Sequence, residues 1–92
     1  MRSMLFVPGD RPERFTKATV SGADAIILDL EDAVMPERRP AARTEVAKWL
    51  AGADRRVPAW VRINPVGTDD ALADLAAVIG GRPDGIVLPK AR

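Results

Sequence analysis

Three acids close one apolar run of this sequence, Ala25-Ile26-Ile27-Leu28-Asp29-Leu30-Glu31-Asp32. Carboxylates gathered so closely are costly to bury unless cations, hydrogen-bond donors or a metal answer them. Three further apolar runs also end in polar groups. Pro8-Gly9-Asp10-Arg11 follows the first, Arg62 and Asn64 close the third, and Lys90 follows the fourth. Their opposite ends carry little comparable: Ser3, Asp24, Pro58 and Asp84. A rim of guanidinium, ammonium and carboxylate groups suits a substrate bearing carboxylates or phosphates, together with a divalent metal. The chain has no histidine and no cysteine. The commonest general base and thiolate metal sites are therefore excluded, and catalysis must rest on carboxylates, Lys, Arg or a hard metal held by oxygen.

These groups meet only if the four runs lie side by side. Ser3 to Val7 reads as a strand stopped by Pro8-Gly9. Asp10 reads as a helix N-cap with Pro12 and Glu13 in the first turn, a capping-box spacing. The helix carries Phe15, Ala18 and Thr19 on one face and should end near Gly22. The stretch Ala25 to Asp32 reads as a strand buried on both faces. A second helix begins at Glu37 or Pro40, buries Ala42, Val46, Trp49 and Leu50, and has Gly52 at its C′ position. Val57 to Ile63 is the third strand. Gly67-Thr68-Asp69-Asp70 opens a third helix, whose apolar face is predicted at Leu72, Leu75, Ala76 and Ile79. Gly85 to Leu88 is the fourth strand. The order β-α-β-α-β-α-β predicts an α/β fold with a parallel sheet and right-handed crossovers. In such folds sites form at the C-terminal strand ends. Two residues apart, Asp29 and Glu31 share a strand face, and Asp32 points away if the strand persists.

Composition narrows the function classes. The chain has 92 residues, 47% hydrophobic and 29% charged, with a net charge of +1. One small domain with a modest core is predicted. That balance supplies no overall field for nucleic acid or a membrane surface. No apolar run reaches the ~20 residues that span a bilayer, so a cytoplasmic location is the expectation. Structural roles stand beside the chemical ones. Asp29 or Glu31 can be the ion-pair partner of Arg62 or Lys90. Arg11, Arg14 and Lys17 can be a solvated helix face, and Trp49 and Trp60 core residues.

Four motifs carry a resemblance. They are Met4-Leu5-Phe6-Val7-Pro8-Gly9-Asp10-Arg11-Pro12, Ile27-Leu28-Asp29-Leu30-Glu31-Asp32-Ala33-Val34, Val61-Arg62-Ile63-Asn64-Pro65 and Val87-Leu88-Pro89-Lys90-Ala91. In this order they resemble the start of citrate lyase β-subunit-like proteins of the HpcH/HpaI aldolase family, with malyl-CoA and citramalyl-CoA lyases as relatives. The resemblance implies a TIM-like (β/α)8 barrel, of which residues 1–92 supply the first four βα units as the N-terminal half of a single domain. It implies homotrimers or larger assemblies. It also implies Mg2+-dependent cleavage of a 3-hydroxyacyl-CoA thioester to an acyl-CoA and an oxo acid. In family terms Arg62 looks like the arginine that grips the oxo-acid carboxylate. Phe6, Arg11 and Lys17 match positions that contact substrate or the CoA moiety. Glu31 and Asp32 resemble the acidic pair beside the metal, acting through water or through Arg62, and the direct metal ligands are expected beyond residue 92. Alternatives in view are a thioesterase on the same type of ester, a non-catalytic half barrel that oligomerises, and a small flavodoxin-like phosphate binder.

Overall fold

In the computed structural model, which describes residues 3–52 and 57–89, the four apolar runs pair as one parallel sheet in the order β1-β2-β3-β4. β1 is Met4–Pro8, β2 Ala25–Asp29, β3 Ala59–Arg62 and β4 Gly85–Val87. The crossovers contain α1 (Phe15–Thr19), α2 (Arg39–Gly52) and α3 (Asp69–Val78). Single 3₁₀ turns precede α1 and α2 and follow α3. The alternation of strand and helix is the one the sequence predicts. Among the described residues no helix is long and apolar enough to cross a membrane.

Register brings the strand ends together. Pro8 pairs with Asp29, Asp29 with Arg62, and Arg62 with Val87, one row across the C-terminal edge. The two-residue period of a strand then places Phe6, Ile27, Asp29, Trp60 and Arg62 on one face. The opposite face, with Val7, Ile26, Leu28, Ala59 and Val61, packs into the core with Phe15, Ala18, Ala42, Val46, Leu50 and Val78. Every residue of β2 is buried. The other face is barer, and Met4 and Phe6 on it are 49% and 48% exposed.

Two glycines permit close approaches. A Cβ on Gly9 would lie 2.7 Å from the Asp29 carbonyl oxygen and 2.9 Å from Leu30 Cδ2. Lacking one, Gly9 donates its N–H to that carbonyl at 2.8 Å and lays the loop after β1 over the end of β2. At Gly85 the Trp60 ring occupies the space a Cβ would need.

Several local expectations are corrected. Asp10 caps no helix. The residue before the first 3₁₀ turn is Arg11, which makes no side-chain cap, and Asp10 pairs instead with Arg38 at 3.5 Å. α1 ends at Thr19, three residues short of Gly22. Gly52 is the last residue of α2 and does not stand beyond it. The third strand is shorter than predicted, because Val57 and Pro58 precede the ladder and Ile63 follows it. The buried residues of α3 are Ala71, Asp74 and Val78; of the predicted stripe Leu75 packs against the core, whereas Leu72 and Ile79 are 70% and 72% exposed. Turning the helix to bury those two would carry Asp74 into water and break the three hydrogen bonds it accepts. The start of α3 is as predicted, with the Thr68 hydroxyl accepting from Ala71 N at 3.1 Å.

Candidate functional site

Arg62 is the centre of the C-terminal edge. Its Nε donates to Asp29 Oδ1 at 2.9 Å and its Nη2 to Asp29 Oδ2 at 2.6 Å. The same two oxygens accept from the backbone N–H groups of Glu31 and Ala33, each at 2.9 Å. Four bonds saturate a side chain that is fully buried. Burial pushes the Asp29 carboxyl up, but the hydrogen bonds from Arg62, Glu31 and Ala33 outweigh it and hold the group below its ordinary range. Arg62 moves the other way: the bond to Asp29 raises its pKa against the effect of burial. Of the two structural partners considered for Asp29, Arg62 is paired with it. Lys90 lies outside the described residues.

Glu31 and Asp32 complete the surround. Glu31 Oε1 is 3.7 Å from Arg62 Nε, and Asp32 Oδ2 is 3.9 Å from Nη2. The strand ends at Asp29, so the alternation that would turn Asp32 away no longer applies. Phe6, two strands distant, lies with its ring centroid 4.7 Å from the Arg62 Cζ. A guanidinium fork has two edges. The Nε/Nη2 edge faces Asp29. Among the described residues no hydrogen bond to Nη1 is formed, whereas Nη2, bonded to Asp29, also has Asp32 Oδ2 at 3.9 Å.

The remaining predicted residues stand apart from this centre. Lys17 lines a groove along β1 with Phe6, Pro8 and Arg14. Arg11 lines a neighbouring cleft with Asp10, Arg14, Met35 and Arg38. Phe6 therefore borders both Arg62 and the Lys17 groove, whereas Arg11 joins the cluster only through the adjoining cleft.

A second charged network was not foreseen. Arg39 Nη1 donates to Asp70 at 2.9 Å, Arg43 Nη2 bonds the same carboxylate, and Arg43 Nε donates to Asp74 Oδ1 at 2.7 Å. Burial lowers the Arg43 pKa, but its bonds to Asp74 and Asp70 raise it further. The bond from Arg43 lowers that of Asp70. Asp74 Oδ2 in turn accepts from the backbone N and the Nδ2 of Asn64, at 2.8 and 2.7 Å. The signal was present in the spacing. Arg39 and Arg43 on α2, and Asp70 and Asp74 on α3, are both four-residue pairs, each lying on one helix face.

The donor set fits a divalent metal poorly. Asp29 has no lone pair to offer, and Glu31 and Asp32 face a guanidinium. Among the described residues no group of three or more acids converges on one point. These residues alone therefore do not form a magnesium shell.

A sequence profile of the HpcH/HpaI aldolase/citrate lyase family matches residues 2–92. The chain belongs to this family. A citrate lyase subunit beta-like protein of Mycobacterium tuberculosis is 47% identical over 87 residues, which is 95% of this chain and 30% of the relative. A (3S)-malyl-CoA thioesterase of Cereibacter sphaeroides is 42% identical, over 97% of this chain and 32% of its own length. The crystal structure of Mycobacterium tuberculosis CitE with magnesium, acetoacetate and coenzyme A superposes with a TM-score of 0.82 at 45% identity, over 96% of this chain and 32% of that one. The sheet and helices are thus three βα units and a fourth strand of a TIM-like (β/α)8 barrel fold. The chain spans about 30% of the length of the HpcH/HpaI relatives it matches.

Proposed function

We propose that this chain supplies the oxo-acid grip of a magnesium-dependent carbon–carbon lyase. The enzyme would cleave a 3-hydroxyacyl-CoA of the citryl-, malyl- or citramalyl-CoA type to an acyl-CoA and an oxo acid. The observation that carries the reading is the side-on hold of Asp29 on Arg62, with Nη1 making no hydrogen bond among the described residues. In this reading the Nη1 side takes a substrate carboxylate. A carboxylate held there bidentately keeps a fixed orientation while the bond beside it breaks. Glu31 and Asp32 buttress Arg62, and Phe6 closes over it. Arg11 and Lys17 face the CoA moiety, where cations suit phosphate.

Family kinship supports the rest of the reading. Relatives include the M. tuberculosis citrate lyase beta subunit solved with oxaloacetate and magnesium, and an L-malyl-CoA/beta-methylmalyl-CoA lyase of C. sphaeroides. In this reading residues 1–92 are half of a single (β/α)8 barrel domain, the metal's ligands lie outside the described residues, and such barrels assemble as homotrimers or larger. Arg62→Lys keeps a charge but loses the fork. In the full-length protein it should lower kcat/KM for citryl-, malyl- or citramalyl-CoA by about 30-fold or more. Wild-type kinetics with all three would sink the reading.

The thioesterase relative favours a second reading, in which the same site precedes hydrolysis of the CoA ester. Products decide between them. Acyl-CoA plus oxo acid marks the lyase, and free CoA with intact hydroxy acid marks the thioesterase.

A further inference from the structure

We propose that Asn64 and Asp74 are positioning residues of the Arg62 site, an inference that rests on the oxo-acid reading above. Asn64 follows β3 by two residues and is 1% exposed. Its Nδ2 carries two hydrogens, and both are used. One goes to the Leu30 carbonyl at 2.9 Å and the other to Asp74 Oδ2 at 2.7 Å. Leu30 N donates back to the Arg62 carbonyl at 2.9 Å. The segment 62–64 is thereby clamped at two points to the residue immediately before Glu31. The clamp ties the backbone that carries the guanidinium to the backbone just before one of the carboxylates around it.

Asp74 anchors this clamp to the helix layer. It is fully buried on α3, and its other oxygen is held by Arg43 from α2. An aspartate at position 64 would have no donor for Leu30 and would face a second carboxylate. A leucine would leave the Leu30 carbonyl unpaired. The pair touches no proposed substrate atom and acts through where it sets Arg62 and Glu31.

The experiment compares Asn64→Ala, Asn64→Ser and Arg62→Ala in the full-length protein. Oxaloacetate binding is read by titration calorimetry, with thermal melts and a kcat and KM split alongside. Displacing the site should weaken oxaloacetate about 10- to 100-fold in Asn64→Ala, mostly in KM, and Asn64→Ser, which keeps one donor, should fall between. A variant that melts earlier but binds oxaloacetate as the wild type does overturns the proposal, because a merely structural pair behaves that way. Failure of both Asn64 variants to fold overturns it too, by making the pair a folding requirement. If Arg62→Ala loses binding while Asn64→Ala keeps it, only the positioning role fails. If both keep it, the reading of Arg62 fails first.

Discussion

The Arg62 guanidinium stands 4.7 Å from the centre of the Phe6 ring, although β2 separates their strands. Asp29, the register partner of Arg62 on β2, holds the guanidinium side-on. The ring limits the guanidinium from one side while the carboxylate fixes it from another. Phe6→Leu should therefore loosen the guanidinium without removing it. Half-exposed cation–π contacts are worth about 0.5–2 kcal/mol, so KM for the oxo acid should rise roughly 2- to 30-fold. On the proposed lyase reading, steady-state kinetics of the full-length protein in the condensation direction read this, and an unchanged KM rules the contact out as a positioning element.

The depressed Asp29 carboxyl makes stability pH-dependent in a defined direction. Its pKa is lower in the folded chain than in the unfolded one. The stabilisation is complete above the unfolded carboxylate value of about 3.9 and is lost as pH falls through the folded value. Asp70 contributes in the same sense, weakened by its exposure. Urea unfolding between about pH 7 and pH 2 should show a loss that begins near pH 4. Asp29→Asn should flatten that dependence and lower stability at neutral pH. A variant as steep as the wild type would assign the acid sensitivity elsewhere.

The two-helix network predicts unequal costs. Arg43→Ala strips a cation from fully buried Asp74 and should destabilise by about 3 kcal/mol. Asp70→Ala removes a carboxylate that is 39% exposed and should cost at most about 1 kcal/mol. Equal losses in chemical denaturation would contradict this division of roles.

Glycine substitutions offer an opposed pair. Gly9→Ala drives a methyl into the Asp29 carbonyl and Leu30, and should destabilise by about 1–3 kcal/mol. Gly52→Ala ends a helix in open space and should stabilise by up to about 1 kcal/mol. Thermal melts of the two variants moving in the same direction would contradict the packing around Gly9.

Patterning carried the fold a long way and the site part of the way. β-branched runs, polar breaks and the βα rhythm sufficed for a parallel sheet, and the sheet necessarily aligned Asp29 with Arg62. α3 escaped because Leu72, Leu75, Ala76 and Ile79 make a plausible apolar stripe. Its true inner face carries an aspartate that only its partners Arg43 and Asn64 make tolerable there. Hydrophobic periodicity is blind to a buried charge whose partners come from other elements. Asp10 misled for a related reason. Cap spacing is local, and the pull of Arg38 is not.

The two tryptophans of the chain are divided by the sheet. Trp49 packs edge-on to Phe15 within the helix layer, with ring centroids 5.8 Å apart. Trp60 lies over Gly85 on the barer face. Intrinsic emission thus has two separable sources. With Trp49 replaced by phenylalanine, the remaining fluorophore is an optical gauge of that face alone, and its wavelength registers any apolar surface that comes to rest against the sheet.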